Sequence, residues 1–111
     1  MLAAVPMVAN HDQRAFVQQL ALPARKLAAA LAAGCSVVLK PDEQTPASAL
    51  LLVQCLLDGG LPAEAVQLVC GEPAEVSSRL IAHPAIAKVS LTGSVAVGRL
   101  LAEQCARHDK R

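Results

Sequence analysis

Lys40 and Glu43 lie three residues apart, directly after the apolar run Val37–Leu39 and before the pair Thr45-Pro46. A carboxylate accepts hydrogen bonds from both hydroxyls of a ribose diol, and an ammonium donates to a hydroxyl or lies near a phosphate. In open α/β sheets, ligands bind where strands end in this way. These residues therefore predict a nucleotide site. The alternative is a surface lysine and a glutamate that leads into a helix, where the dipole favours an acid. On spacing alone this alternative is favoured.

Gly93 and Ser94 form the second candidate site, at the end of another apolar run. A helix that begins after a strand presents free N–H groups and the positive end of its dipole, which together attract an anion. Glycine permits close approach to the backbone, and the serine hydroxyl can donate to a phosphate oxygen. The alternative is a serine that only caps the helix. A Walker-type phosphate loop is excluded because Gly98 is followed by Arg99-Leu100, and the chain has no G-x-G-x-x-G motif.

The cysteines and histidines give no metal or catalytic pattern. No cysteine lies two residues from another, so the spacing typical of zinc sites is absent. The cysteines are Cys35, Cys55, Cys70 and Cys105. Three of them lie in apolar stretches, where a free cysteine packs as a small hydrophobic residue, and Cys70 is the one near a candidate ligand edge. We predict reduced, structural cysteines, no metal site and no catalytic residue in this chain.

Length and composition indicate one small domain with a thin core. The chain has 111 residues, of which 54% are hydrophobic and 17% charged, with a net charge of +1. Phe16 is its one aromatic residue, so Ala, Leu and Val must build the core, and we expect a piece of something larger or an oligomer. The charge gives no reason to expect nucleic acid. No apolar run reaches the length of a membrane span and no signal peptide is recognised. We therefore expect a cytoplasmic protein.

Apolar runs and helix-forming stretches alternate along the chain, which predicts an α/β fold with a parallel sheet. The expected strands are 35–39, 66–70 and 86–91, and the expected helices are 24–33, 45–58, 71–81 and one that begins after Ser94. Gly34 and Gly59-Gly60 end two helices, and Thr45-Pro46 begins one. Residues 1–22 are the hardest to interpret: residues 2–8 suggest a strand, residues 11–14 a polar turn, and Pro23 disfavours a helix that spans it.

Two of these helices carry distinct apolar patterns. The helix over residues 45–58 is apolar almost all round, which predicts burial on more than one side. The last helix has an apolar face made of Val97, Leu100, Leu101 and Cys105.

A series of short motifs covers residues 23–107. In order they are Arg25–Cys35, Val37–Pro46, Gly59–Pro62, Val69–Gly71, His83-Pro84, Leu91–Ser94 and Val97-Gly98. Their order and spacing resemble those of the cofactor-binding domain of the aldehyde dehydrogenase superfamily. The stretch from Pro73 to Ser94 is also faintly similar to the succinate-semialdehyde branch. The set as a whole is specific, although no single motif is.

The resemblance implies a fold and a role for each candidate residue. The fold would be a Rossmann-like parallel sheet with helices on both faces, here a partial domain over residues 23–111 after an N-terminal segment of residues 1–22. Lys40 and Glu43 would hold the adenosine ribose, Gly93 and Ser94 would contact the pyrophosphate, and Val97 would line the adenine pocket. Glu43 suits a free ribose diol, which favours NAD and leaves NADP open.

Departures from the family pattern suggest that this chain does not catalyse the reaction alone. The family reaction forms a thiohemiacetal on a cysteine, transfers hydride to the nicotinamide and hydrolyses the thioester. The asparagine that supports the oxyanion would fall at Val17. The family's nucleophilic cysteine and general-base glutamate lie beyond the last motif seen here. We therefore expect a fragment or truncated relative that carries the adenosine side of the cofactor site and needs the missing domains or self-association.

The alternative function is of another class. In it, the chain is a non-enzymatic α/β module that binds no nucleotide and persists by packing on a partner.

Overall fold

The structure, a computed structural model, describes the backbone of residues 2–6, 13–43 and 46–111 and the side chains from residue 20 onward within these ranges. The strands are β1 (Leu2–Pro6), β2 (Ser36–Lys40), β3 (Val66–Leu68) and β4 (Ile86–Val89). The helices are α1 (Gln13–Ala32), α2 (Pro46–Asp58), α3 (Pro73–Ala82) and α4 (Val95–Arg107). A 3-10 turn over Ala63–Ala65 precedes β3.

The four described strands form one parallel sheet in the order β3-β2-β1-β4. β1 pairs with β2 in a continuous register, for example Ala3 with Val37. β1 pairs with β4 through an irregularity between Leu2 and Ala3. This confirms the α/β fold with a parallel sheet. Because β1 lies between β2 and β4, residues near the amino terminus supply a central strand of the sheet.

The helices cover both faces of the sheet. Successive side chains of a strand point to opposite faces, and β2 follows this rule with all of Val37, Val38 and Leu39 buried. Val37 and Leu39 pack in a core cluster with α1 and α2, which contribute Leu27, Ala49 and Val53, and with Val66 of β3. Val38 packs on the other face with Ile86, Leu80 and Val89. Helices α1 and α2 therefore lie on one face and α3 on the other.

Helix α1 is longer than expected and corrects the interpretation of residues 11–23. It spans Gln13–Ala32 with Pro23 inside it, so Gln13 and Arg14 are helical rather than part of a polar turn. Proline costs a helix one backbone hydrogen bond. Pro23 is fully buried here, so we infer that tertiary packing compensates for the lost bond. The segment 16–19, which includes Val17, lies inside α1, and its side chains are outside the described residues.

Two helices end at glycines as expected. Cys35 N–H donates to Ala30 O and Gly34 N–H to Leu31 O, with Gly34 at φ +77°. This pattern is the Schellman motif, which favours glycine because of the positive φ. Gly60 ends α2 in the same way, at φ +99°. Pro46 is the first residue of α2, as expected, while the cap proposed for Thr45 lies outside the described residues.

Three expectations about burial and length were wrong. Helix α2 buries Ala49 and Val53, but Leu50 and Leu51 are 57% and 65% exposed, so one side of the helix faces solvent in this chain. β4 ends at Val89 and β3 at Leu68, two residues earlier than expected in each case. Strand length depends on pairing with a neighbour, which an apolar run alone does not report.

The cysteines are free and differ in exposure. Cys35 is buried, Cys105 is half-buried, and Cys55 and Cys70 are exposed. Cys55 was expected to pack as a small hydrophobic residue, but it follows the buried Val53 by two positions, which places it on the opposite side of α2. Within the described residues, no three His, Cys, Asp or Glu side chains group as a metal site would require. No described helix combines the length and hydropathy needed to cross a membrane.

Candidate active-site edge

The carboxyl ends of the parallel strands lie along one edge of the sheet. Lys40 is the last residue of β2, Cys70 and Gly71 follow β3, and Thr92, Gly93 and Ser94 follow β4. Residues 7–12 after β1 and residues 44–45 before α2 lie outside the described residues. Ligands bind at this edge in open α/β sheets because the loops there are free of the packed core.

Lys40 is buried beside the half-exposed Glu43. Its residue exposure is 2%, and its Nζ lies 3.3 Å from Glu43 Oε1 and 3.4 Å from the carbonyl oxygen of Pro41. A buried ammonium needs such partners because desolvation is costly. Both hydrogen bonds are long, and an ammonium has three donors. The pair can therefore offer a ligand one N–H of Lys40 and the exposed part of the Glu43 carboxylate, which are the groups that a diol requires.

A cavity of about 240 Å³ lies between the ends of β2 and β3. Its lining residues are Pro41, Asp42, Glu43, Pro46, Cys70 and Gly71. Drug-sized ligands occupy pockets of roughly 300–1,000 Å³, so this cavity suits one moiety such as a sugar. Among the described residues that line it, the two charged ones, Asp42 and Glu43, are both acidic.

Gly71 brings backbone to the wall of this cavity. Its φ is +157°, and a Cβ at this position would lie 2.8 Å from Val76 Cγ2. Real Cβ atoms do not approach a neighbour so closely without movement, so the position favours glycine. The absent side chain lets Val76 pack directly against the β3–α3 loop.

The helices α3 and α4 both begin at this edge but differ in their caps. The Glu72 carboxylate accepts a hydrogen bond of 2.9 Å from Glu75 N–H, and Pro73 occupies the first position of α3. Helix α3 therefore already has an anion at its amino terminus. At α4 the cap is the neutral Ser94, whose Oγ accepts from Val97 N–H at 3.3 Å. Of these two helix starts, α4 is the better site for a ligand anion.

The structure brings the predicted site residues together in two groups. Lys40 and Glu43 meet at the end of β2, whereas Gly93, Ser94 and Val97 lie together at the start of α4. β1 separates the groups, so they are about two strand spacings, or ~10 Å, apart. Of the five, only Glu43 lines the 240 Å³ cavity.

Sequence reasoning assigned no ligand role to Asp42, which also lines that cavity. Asp42 lies between Lys40 and Glu43 in the same turn. This position is the one feature of the sequence that could have indicated a ligand role for it. Its burial, and its proximity to Cys70 and Gly71, depend on how β3 pairs with β2.

Two features lie outside this edge. A second cavity, of about 420 Å³, runs along α4 and β4, and it includes Cys105, where burial raises the thiol pKa although Lys110 acts against the shift. Its wall includes Arg111, whose backbone donates to Ala87 O and accepts from Val89 N–H. On α1, Lys26 Nζ is buried without a hydrogen-bond partner, and burial lowers its pKa.

Comparison with known proteins identifies relatives of this chain. A model of the aldehyde dehydrogenase family matches residues 15–111. The chain is 60% identical over 92 residues, or 83% of its length, to a 4-(hydroxymethyl)benzenesulfonate dehydrogenase of Comamonas testosteroni. It is 48% identical over 91 residues, or 82% of its length, to 3-sulfolactaldehyde dehydrogenase of Pseudomonas putida. It is 45% identical over 91 residues, again 82% of its length, to a succinate-semialdehyde dehydrogenase of Escherichia coli (strain K12) whose name specifies NADP(+).

Solved structures share the fold. The chain superposes with a TM-score of 0.87 and 40% identity on an aldehyde dehydrogenase of Pseudomonas syringae, in a complex with NAD+ and octanal, over 99% of this chain and 21% of that one. The TM-score is 0.85 and the identity 38% for a succinate-semialdehyde dehydrogenase of Burkholderia pseudomallei, over 98% of this chain and 21% of that one. The chain spans about 19% of the length of the three relatives named above.

Proposed function

Because the chain belongs to the aldehyde dehydrogenase family, we propose that its 111 residues hold the adenosine end of NAD(P) for the oxidation of an aldehyde to a carboxylic acid. The observation that carries this proposal is the Lys40–Glu43 pair at the end of β2, beside a cavity of sugar size. When bound, the dinucleotide supplies a hydride acceptor. The protein groups derived below bind and orient it.

The residues present fit such a ligand. Lys40 donates and Glu43 accepts at the ribose hydroxyls, and Gly71 presents backbone rather than a side chain to the sugar beside β3. The start of α4, with Gly93 and Ser94, holds the pyrophosphate through backbone N–H groups and the helix dipole. Val97 on the first turn of α4 contacts the adenine side.

We propose NAD as the preferred dinucleotide. The exposed part of the Glu43 carboxylate accepts from a free diol and repels a 2′-phosphate. One of the relatives is named for NADP(+), and one of the solved structures contains NAD+. Because the relatives differ in this way, the proposed preference for NAD depends on the residues of this chain.

For the protein that carries this chain, we propose an aldehyde with an acidic group as the substrate, and the cytoplasm as the compartment. The relatives named above are called after a sulfonate, a sulfolactaldehyde and a succinate semialdehyde, which supports an anionic substrate. The test measures kcat/KM of that protein with succinate semialdehyde, which is anionic, and with butyraldehyde, which is neutral. We expect the higher kcat/KM with succinate semialdehyde. Equal kcat/KM for the two would contradict this part.

We propose that the chain by itself does not oxidise aldehydes. By the resemblance, none of its cysteines occupies the position of the family nucleophile, and Val17 stands where the oxyanion-supporting asparagine is expected. Loss of one oxyanion donor alone slows chemistry by roughly 100- to 1,000-fold. NADH formation by the purified chain above a protein-free blank, with several aldehydes, would contradict this.

Titration of the chain with NAD+ and NADP+, followed by NMR chemical shifts, tests the binding role. We expect NAD+ to shift the amides of Lys40, Glu43 and Ser94 with a Kd near 1 mM, or about −4 kcal/mol. Glu43→Gln should weaken NAD+ binding and leave NADP+ binding unchanged or stronger. Glu64→Gln makes the same charge change at an exposed residue before the amino end of β3, and should alter neither.

Two outcomes of this titration have distinct meanings. Shifts with neither dinucleotide would refute the proposed function and favour an α/β module that binds no nucleotide. Equal loss of both ligands in Glu43→Gln would leave nucleotide binding in place but remove the ribose role of Glu43.

A further inference from the structure

We propose that Lys110 acts as a latch: it holds the carboxyl end of α4 against the end of α3, and its release lets α4 move away from β4. Lys110 Nζ donates a hydrogen bond of 2.9 Å to the carbonyl oxygen of His83, 27 residues earlier in the chain. The other side-chain hydrogen bonds named above join residues at most three positions apart. The bond from Lys110 therefore joins two helices that no local sequence signal connects. It lies at the opposite end of α4 from Ser94.

The partner of Lys110 is well suited to a cation. His83 is the first residue after α3, and the last carbonyl groups at a helix end lack partners within the helix and carry the negative end of its dipole. The His83 carbonyl also accepts from the Ile86 N–H at 3.1 Å, and a carbonyl oxygen has two lone pairs. Lys110 supplies the second bond, and its charge strengthens that bond. Removal of the Lys110 ammonium therefore costs this end of α3 its cation and one hydrogen bond.

Packing beneath α4 is thin, which leaves more of its support to the latch. The cavity of about 420 Å³ lies along α4 and β4, and Leu101 is the buried residue of this helix. Side chains that line a void lack partner atoms on that side and lose dispersion contacts. Lys110 and Cys105 both line this cavity, so release of Lys110 should open it and expose the Cys105 thiol. The backbone bonds from Arg111 to β4 remain, which limits the release to a local opening.

The charge of Lys110 has a second effect, which makes the opposite prediction. Burial raises the pKa of the Cys105 thiol, and the Lys110 cation acts against that shift. The thiolate is the species that reacts with an electrophile. If Lys110 acted only through its charge, its removal would raise the pKa of Cys105 further and slow the reaction. If Lys110 is a latch, its removal exposes Cys105 and speeds the reaction, so the sign of the change separates the two roles.

The experiment measures the reaction of each cysteine with N-ethylmaleimide at neutral pH, by mass spectrometry of the labelled peptides. We expect the rate at Cys105 to rise about fivefold or more in Lys110→Met, because a hydrogen bond from a charged group is lost. Lys110→Arg keeps a cationic donor and should stay near the wild-type rate. Lys88→Met is the matched control, since it removes the same ammonium group from an exposed residue of β4. It should leave the rate at Cys105 unchanged.

The other cysteines report on the rest of the chain in the same sample. Cys55 and Cys70 are exposed and should react at the same rate in every variant, whereas the buried Cys35 should react only when the fold as a whole opens. A faster Cys105 with an unchanged Cys35 supports the latch. An unchanged or slower Cys105 in Lys110→Met overturns it, as does a parallel rise at Cys35, which would mean general unfolding. The samples contain no nucleotide, so neither result depends on the proposed function.

Discussion

Gly71→Ala tests the geometry of the β3–α3 loop. At this position a Cβ would lie 2.8 Å from Val76 Cγ2, whereas two carbon atoms make their best contact at about 3.5–4.0 Å. The overlap is therefore about 0.7–1.2 Å. Val76 is β-branched and lies in the first turn of α3, where one χ1 rotamer dominates, so the methyl group does not rotate away at low cost. Gly71 or Val76 must shift with its backbone.

The expected magnitude follows from this overlap. Inserting a methyl group into packed surroundings costs roughly 1–3 kcal/mol. Because the loop at Gly71 is exposed and can move in part, we expect a loss of about 1–2 kcal/mol in the free energy of unfolding. Gly71 also lines the 240 Å³ cavity, so the shifted loop should weaken NAD+ binding.

Urea unfolding of a double-mutant cycle measures the effect. Val76→Ala removes the clashing methyl group, so Gly71→Ala should cost about 1 kcal/mol less in the Val76→Ala background than in the wild type. Gly34→Ala is the control, because Gly34 has φ +77° but no atom within 4 Å of the added Cβ. Its cost should be independent of Val76. A Gly71→Ala variant as stable as the wild type, or an additive cycle, would refute the reasoning.

Three further predictions concern residues outside the nucleotide edge. Lys26→Met should stabilise the chain by up to about 1 kcal/mol, since Lys26 Nζ is buried without a partner. The pKa of Lys26 is lowered in the folded state, so the unfolded state binds more protons in the alkaline range. The free energy of unfolding of the wild type should therefore rise as the pH increases towards 10.5. Urea unfolding at several pH values should show this rise in the wild type and not in Lys26→Met. Gly98→Ala should stabilise α4 by about 0.5–1 kcal/mol, because the added Cβ makes an ordinary 3.7 Å contact with Leu91; a lower melting temperature would contradict this. The chain should self-associate through α2, and Leu51→Gln, at a residue 65% exposed, should reduce the mass measured by light scattering; a monodisperse wild-type monomer that melts cooperatively would count against it.

Local signals predicted the ends of most elements. Gly34 and Gly60 adopt positive φ, Pro46 begins α2 and Ser94 caps α4, as their residue types indicate. Each of these signals depends on a few consecutive residues and on hydrogen bonds within them. Helix ends of this kind can therefore be predicted from the local sequence, without knowledge of the remaining fold.

The error at Pro23 shows where local signals fail. Proline disfavours a helix interior by its missing N–H, yet α1 continues through it. Pro23 is fully buried, and no propensity of neighbouring residues reports that burial.

The sequence by itself determined the α/β class and the positions of most helix ends, and it supplied Lys40, Glu43 and Ser94 as candidate site residues. Only the tertiary structure decided that β1 lies between β2 and β4, and hence that the two groups of candidate residues lie two strands apart. It also decided that Asp42, Cys70 and Gly71 share one cavity wall. The physical reason is range: caps and turns depend on neighbours in the chain, whereas strand order and cavity walls depend on pairing between distant segments.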